Sequence, residues 1–79
     1  MARYFFHIKD GKEIRDEEGA ELPDLHAVRD CAIKTAGDML SDGGGADLWS
    51  GHEWQMMVAD EAGREVLVLR FSVEQKLAA

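Results

Sequence analysis

The chain has 79 residues, a net charge of −7 and a single cysteine, Cys31. This length fits one domain, residues 1–79, and no run approaches the roughly 20 apolar residues that a membrane-spanning helix needs. One cysteine cannot form an intramolecular disulfide, so the composition favours a reducing compartment, and we expect a cytoplasmic protein.

The first predicted strand covers residues 3–9, which read Arg-Tyr-Phe-Phe-His-Ile-Lys. Aromatic and β-branched residues fit the pleated surface of a sheet. Because side chains alternate between the two faces of a strand, one face is fully apolar, whereas the other carries Phe5 and His7 among charged neighbours. The apolar face consists of Tyr4, Phe6 and Ile8.

Asp10-Gly11 follows this strand directly and predicts a two-residue hairpin turn. Glycine supplies the positive φ that such a turn needs, and Asp tolerates it. We therefore expect a short charged partner strand over residues 12–15, with Ile14 facing inward. A short charged strand is typical of a protected sheet edge.

Residues 10–24 hold seven acidic and two basic side chains, which is −5 of the net charge of −7. Phosphate binding requires clustered Lys and Arg, so this balance opposes a nucleic-acid partner. A solubilising surface explains the run most simply. The functional alternative is a docking patch for a basic partner protein. Its candidate members are Asp16, Glu17, Glu18 and Glu21.

A connection leads from the hairpin to a predicted helix that begins after Asp24, a good N-cap residue, and runs from Leu25 to about Ser41. Its apolar residues recur at helical spacing, and three glycines at residues 43–45 end it. The loop over residues 43–51 contains Trp49. That side chain either covers an edge of the core or anchors a partner, and the first interpretation is preferred.

Two further strands form a second predicted hairpin, over residues 53–59 and residues 64–73. The loop between them ends in Gly63, at the position where a left-handed conformation is expected. The last strand is apolar on both faces, which is typical of a central strand. We therefore expect the sheet order second, first, fourth, third.

The predicted fold class is α+β, with the order β-β-α-β-β and an antiparallel sheet of about four strands. One helix packs on one face of that sheet. Tight helix–sheet packing and alternation together predict the core. Its members are Tyr4, Phe6, Ile8, Ile14, Leu25, Val28, Ala32, Met39, Trp54, Met56, Val58, Leu67, Leu69 and Phe71.

A single helix leaves the opposite face of the sheet bare, and we call it the helix-free face. An apolar patch of this size indicates a contact surface, most simply for a second copy of the chain in a homodimer, or for another protein. The candidate interface consists of Phe5, His7, Met57, Val66, Val68 and Arg70.

The sequence contains no motif for a cofactor or a metal. His7, His26, His52 and Cys31 show no zinc-ligand spacing, and the acidic run lacks the pattern of a calcium loop. His7 is the best candidate for a general base, yet no orienting carboxylate is evident from the sequence. The leading interpretation is a non-enzymatic protein–protein interaction or regulatory module. The alternatives are a nucleic-acid-associated regulator that stacks bases on Phe5, and a small enzyme with its site near His7.

Three segments together resemble a family of small, mostly alphaproteobacterial domains of unknown function. They are residues 3–7 (Arg-Tyr-Phe-Phe-His), residues 16–24 (Asp-Glu-Glu-Gly-Ala-Glu-Leu-Pro-Asp) and residues 60–67 (Asp-Glu-Ala-Gly-Arg-Glu-Val-Leu). The resemblance spans nearly the whole chain. It implies a stand-alone bacterial cytoplasmic protein, and it brings no activity, cofactor or functional residue.

Overall fold

A computed structural model describes residues 1–77 and contains five strands and one α-helix. Strands β1–β3 precede helix α1, and strands β4 and β5 follow it. The elements are β1 (Ala2–Lys9), β2 (Glu13–Ile14), β3 (Ala20–Leu22), α1 (Leu25–Met39), β4 (Trp54–Ala59) and β5 (Glu65–Phe71). The predicted α+β class is confirmed, and the β-β-α-β-β order holds once the short β3 is added to the first half.

The strands form one antiparallel sheet in the order β2-β1-β4-β5, and β3 pairs with β1 beyond β2. The β1–β4 register runs from Phe5 opposite Ala59 to Lys9 opposite Gln55. The β4–β5 register begins with Trp54 opposite Phe71 and contains a bulge near Val58 and Ala59. A three-residue loop over residues 10–12 joins β1 to β2, one residue longer than predicted, with Gly11 at φ 73°.

The predicted strand order is wrong, because β4 rather than the last strand lies beside β1. On β4, Trp54, Met56 and Val58 are no more than 1% exposed, whereas all seven residues of β5 are half-buried or exposed. Two apolar faces indicate that a strand has cover above and below. The apolar faces carry no information about which strands pair through backbone hydrogen bonds, and this pairing determines the lateral order of the strands.

Strand β3 was predicted to be part of a connection. It pairs with the first half of β1, with Ala2 opposite Leu22 and Tyr4 opposite Ala20. Its three residues are too few for an alternating pattern to be recognised within the acidic run.

Helix α1 begins as predicted, since the Asp24 carboxylate accepts a hydrogen bond of 2.9 Å from the backbone N–H of Ala27. Regular α-helix ends at Met39, before the predicted Ser41, and one wide turn follows over Leu40–Gly44. Gly43 takes φ 96° there, so the predicted glycine stop is confirmed. No helix in the described part of the chain is long and apolar enough to cross a membrane.

The core lies between α1 and one face of the sheet. Three residues of α1, Val28, Ala32 and Ala36, are completely buried; because two of them are alanines, the helix approaches the sheet closely. Most predicted core residues pack there, but Ile14 and Leu25 are 46% and 43% exposed. Each stands at an end of the packed layer. Ile14 lies on the two-residue edge strand, and Leu25 is the first residue of the helix.

The loop after α1 contains a 3₁₀ turn over Ala46–Ser50. Trp49 was expected to cover the core edge, and this is wrong because the side chain is 73% exposed. Leu48 packs against the core instead. Of these two adjacent loop residues, Leu48 points toward the core and Trp49 points toward solvent.

Candidate interaction surface

The helix-free face is built from three strands whose side chains stand in rows across the sheet. One row joins His7, Met57 and Val68. A second row joins Lys9, Gln55 and Arg70, and a third joins Phe5 to Ala59. The structure therefore brings Phe5, His7, Met57, Val68 and Arg70 onto one surface. Val66 lies beside them at the bulge of β5 and is 37% exposed.

Residues 15–19 leave the sheet edge between β2 and β3, and we call this segment the Arg15–Gly19 arc. The arc interrupts the backbone pairing along this edge of β1, so a side chain supplies the missing hydrogen bond. The Asp16 carboxylate accepts a hydrogen bond of 3.1 Å from the backbone N–H of Phe6. Its other oxygen accepts bonds of 3.1 Å and 3.0 Å from the N–H groups of Glu18 and Gly19.

Burial of Asp16 raises the pKa of its carboxyl, but the hydrogen bonds from three backbone N–H donors outweigh this effect and hold the pKa below its usual range. The ionised form is the one that accepts these bonds. Asp16 therefore acts as a structural anchor of the arc, which distinguishes it from a carboxylate free to dock a partner.

His7 holds the other side of the arc. Its Nδ1 atom accepts a hydrogen bond of 3.0 Å from the backbone N–H of Asp16. Nδ1 therefore acts as an acceptor and carries no proton in this geometry. The ring lies parallel to that of Phe5, with centroids 6.4 Å apart. His7 has a structural task that its position in the sequence does not reveal.

Gly19 closes the arc against the sheet. Its φ is 71°, and a Cβ atom there would lie 2.8 Å from the carbonyl oxygen of Tyr4 and 2.9 Å from the ring of Phe5. Glycine is the residue that meets both conditions, since it tolerates positive φ and has no side chain. The arc thus packs directly on Phe5, one of the six candidate interface residues.

The predicted acidic docking patch is divided by these contacts. Asp16 is half-buried and bonded to the backbone, whereas Glu17, Glu18 and Glu21 are exposed. Glu21 lies 3.3 Å from the guanidinium of Arg3, an exposed pair that contributes little to stability. The remaining carboxylates belong to a solvated acidic edge beside β1.

A shallow depression of about 420 Å³ lies between the arc and the β4–β5 hairpin. Phe5, His7 and Ala59 form its floor, and Arg15, Glu17 and Glu61 contribute charges at its sides. Four carboxylates, those of Asp16, Glu17, Asp60 and Glu61, and one guanidinium, that of Arg15, line the depression, so its charge is predominantly negative. Among the residues that the structure describes, no group of three or more His, Cys, Asp or Glu side chains could hold a metal ion.

The outer edge of β5 completes this surface, and sequence reasoning missed it. β5 is the last strand of the sheet, so none of residues 1–77 pairs with its outer side. Its apolar side chains remain half-buried or exposed. The signal that could have found it is the absence of Pro and Lys from Glu65–Phe71, since those residues commonly protect an edge strand.

These features define a small α+β domain with one helix on one face of an antiparallel sheet and a partly uncovered opposite face. The chain belongs to the family described as Domain of unknown function (DUF6894), whose model matches residues 3–72. The predicted resemblance to a family of small domains of unknown function is thereby confirmed. Neither the curated proteins nor the solved structures gave a match to the chain.

Proposed function

We propose that this protein is a non-enzymatic protein–protein interaction module that works as a homodimer through the β5 side of its helix-free face. The observation that carries the proposal is an edge strand with apolar side chains on both faces and an unpaired outer side among the described residues. An uncovered apolar strand of this kind is a common site of association.

The contact surface is narrower than the one expected from the sequence. Phe5 and His7 are engaged by the Arg15–Gly19 arc, through Gly19 and the backbone of Asp16. The residues that remain available are Met57, Val66, Val68 and Arg70. They lie on β4 and β5, away from the acidic edge of the sheet.

Charge favours the β5 side as the place where a second copy would bind. Strand β5 contains one acidic and one basic residue, whereas residues 10–24 at the other edge hold seven acidic and two basic residues. Two identical chains with a net charge of −7 repel each other, and they approach at least cost through their neutral side. The β5 side meets this condition and the β2–β3 side does not.

The two alternatives receive less support. Base stacking by a nucleic-acid regulator needs a free aromatic face, but Gly19 packs on the ring of Phe5. An enzyme at His7 needs an available base, and Nδ1 of that ring already accepts a backbone N–H. These contacts leave both alternatives without a surface comparable to the one that β5 provides for an interaction module.

Sedimentation equilibrium over a range of concentrations tests the proposal. We expect the wild-type protein to reach twice the chain mass, and Val68→Lys to stay monomeric because a charge would be buried in the contact. The matched control is Ile33→Lys, which changes a residue that is 60% exposed on α1 and should leave association unchanged. A wild-type protein that remains monomeric at millimolar concentration, or a Val68→Lys variant that dimerises normally, would contradict the proposal.

A further inference from the structure

We propose, building on the proposed homodimer, that two copies join edge to edge, with their β5 strands paired antiparallel and Val68 opposite its own symmetry mate. The two sheets would then form one continuous sheet of eight strands in the order β2-β1-β4-β5-β5-β4-β1-β2, each half extended by its β3.

Only one edge of the sheet is suited to pairing. The β1 side is occupied by β2, β3 and the arc, which are two, three and five residues long and rich in acidic side chains. The β5 side offers seven consecutive strand residues. A partner strand gains main-chain hydrogen bonds along the regular part of β5 that follows the bulge at Val66, which is the usual basis of strand addition.

Two-fold symmetry sets the register between the two β5 strands. A two-fold axis perpendicular to the sheet keeps each face of β5 continuous with the same face of its mate, so residues on the helix side meet residues on the helix side. Full overlap of Glu65–Phe71 with its mate places the axis at Val68, the central residue. Leu67 then lies opposite Leu69 on the helix side, and Val66 lies opposite Arg70 on the helix-free side.

Charges along β5 agree with this register. The acidic residue Glu65 is at the beginning of the strand, and the basic residue Arg70 is near its end. The bulge at Val66 places Glu65 opposite Ala59 on the helix-free face, so antiparallel pairing brings the Glu65 of each copy to within one residue of the Arg70 of the other on the same face. Arg70 is accessible for this contact, since its side chain is 64% exposed and lies 3.8 Å from Glu53 within its own chain. A parallel arrangement would instead place like charges side by side.

The acidic edges of the two copies lie far apart in the proposed dimer. Seven strand spacings of about 4.8 Å separate the two β2 strands in the proposed dimer, which is roughly 34 Å. The Debye length at physiological ionic strength is about 8 Å, so the repulsion between these edges is strongly screened. Dimerisation through the β1 side would instead bring the acidic edges into contact.

Disulfide trapping tests the register. In a Cys31→Ser background, Val68→Cys should cross-link on mild oxidation, because directly opposed antiparallel residues have Cα atoms about 4.5–5.5 Å apart, within disulfide range. Val66→Cys is the matched control on the same strand and face. The two copies of residue 66 would lie more than about 13 Å apart and should not cross-link.

A mixed experiment keeps the test decisive if Val68→Cys folds poorly. Val66→Cys mixed with Arg70→Cys should form the mixed dimer, and each variant alone should give at least about tenfold less cross-linked product, because only the mixed pair is directly opposed. A dimer by sedimentation that shows no such pattern would overturn the edge-to-edge arrangement and leave the proposed function intact. A monomer by sedimentation for the wild type and all variants would overturn both.

Discussion

One edge of the sheet is completed by the chain itself, whereas the other ends in a strand whose outer side has no partner among the described residues. At the first edge, β2 and β3 pair with β1, and Asp16 bonds the one amide that the arc would otherwise leave open, that of Phe6. At the second edge, none of residues 1–77 pairs with the outer side of β5. The difference teaches that this small domain uses its acidic segment to close one side of the sheet, and the proposed dimer uses the other side.

The largest expected effect concerns the closed edge. Asp16→Ala removes the acceptor of three backbone N–H groups, and we expect the free energy of unfolding to fall by about 2–4 kcal/mol. Glu17→Ala changes the exposed neighbour and should stay within about 0.5 kcal/mol of wild type. Urea denaturation measures both. Equal effects of the two variants would mean that Asp16 does not anchor the arc.

The next effect concerns the close approach of the arc to the sheet. Gly19→Ala should destabilise by about 2 kcal/mol, since it combines positive φ with a Cβ atom 2.8 Å from the Tyr4 oxygen. Gly37→Ala provides the contrast, because this helical glycine has open space around it and should gain about 0.5–1 kcal/mol. Thermal unfolding compares the two variants. A Gly19→Ala variant as stable as wild type would show that the arc is not held against Phe5.

A smaller effect should appear on acidification. The pKa of Asp16 is lowered in the folded chain, so its stabilising contribution is complete above the unfolded carboxyl pKa of about 3.9 and is lost as pH falls through the folded pKa. Asp16→Asn cannot accept the Phe6 N–H through its amide nitrogen. The stability difference between wild type and this variant should therefore be constant above about pH 5 and shrink below about pH 4.

Denaturation curves measured at several pH values check this result, with Glu17→Gln as the control. The control should differ little from wild type at every pH, since Glu17 is exposed. A wild-type to Asp16→Asn difference that does not change between pH 6 and pH 3 would mean that the carboxylate charge contributes nothing to the closed edge.

The smallest expected effect on folding concerns the open edge. Val66→Lys changes a side chain that is 37% exposed at the bulge, and the unfolding free energy measured at dilution should change by no more than about 0.5 kcal/mol. Its association should nevertheless weaken measurably in sedimentation, because the residue lies in the proposed contact. A large loss of stability without any effect on association would assign Val66 to the fold alone.

Most of the fold could be predicted because its information is local. Alternation assigned the faces of β1 and β4, Asp24 marked the start of α1, and Gly63, at φ 84°, occupies the predicted left-handed position. The lateral order could not be predicted in the same way. Side chains respond to what covers a face, whereas the order depends on backbone pairing between strands far apart in sequence.

The surface was predicted in outline only. The position of Phe5 and His7 on the helix-free face follows from alternation, and the structure agrees. Their engagement by the arc depends on the backbone N–H of Asp16, nine residues from His7, and on Gly19, 14 residues from Phe5, and no periodic pattern records such contacts. Trp49 illustrates the same limit, because burial of a loop side chain depends on neighbours that its own segment does not specify.

Amide hydrogen exchange of the wild-type protein as a function of concentration compares the two edges most directly. The Phe6 amide, bonded to Asp16, should be equally protected at every concentration. The outward amides of β5 should exchange rapidly at dilution and slow by about tenfold where about nine-tenths of the chains are dimeric. Exchange of the β5 amides that does not depend on concentration would contradict the account, whatever the behaviour of the closed edge.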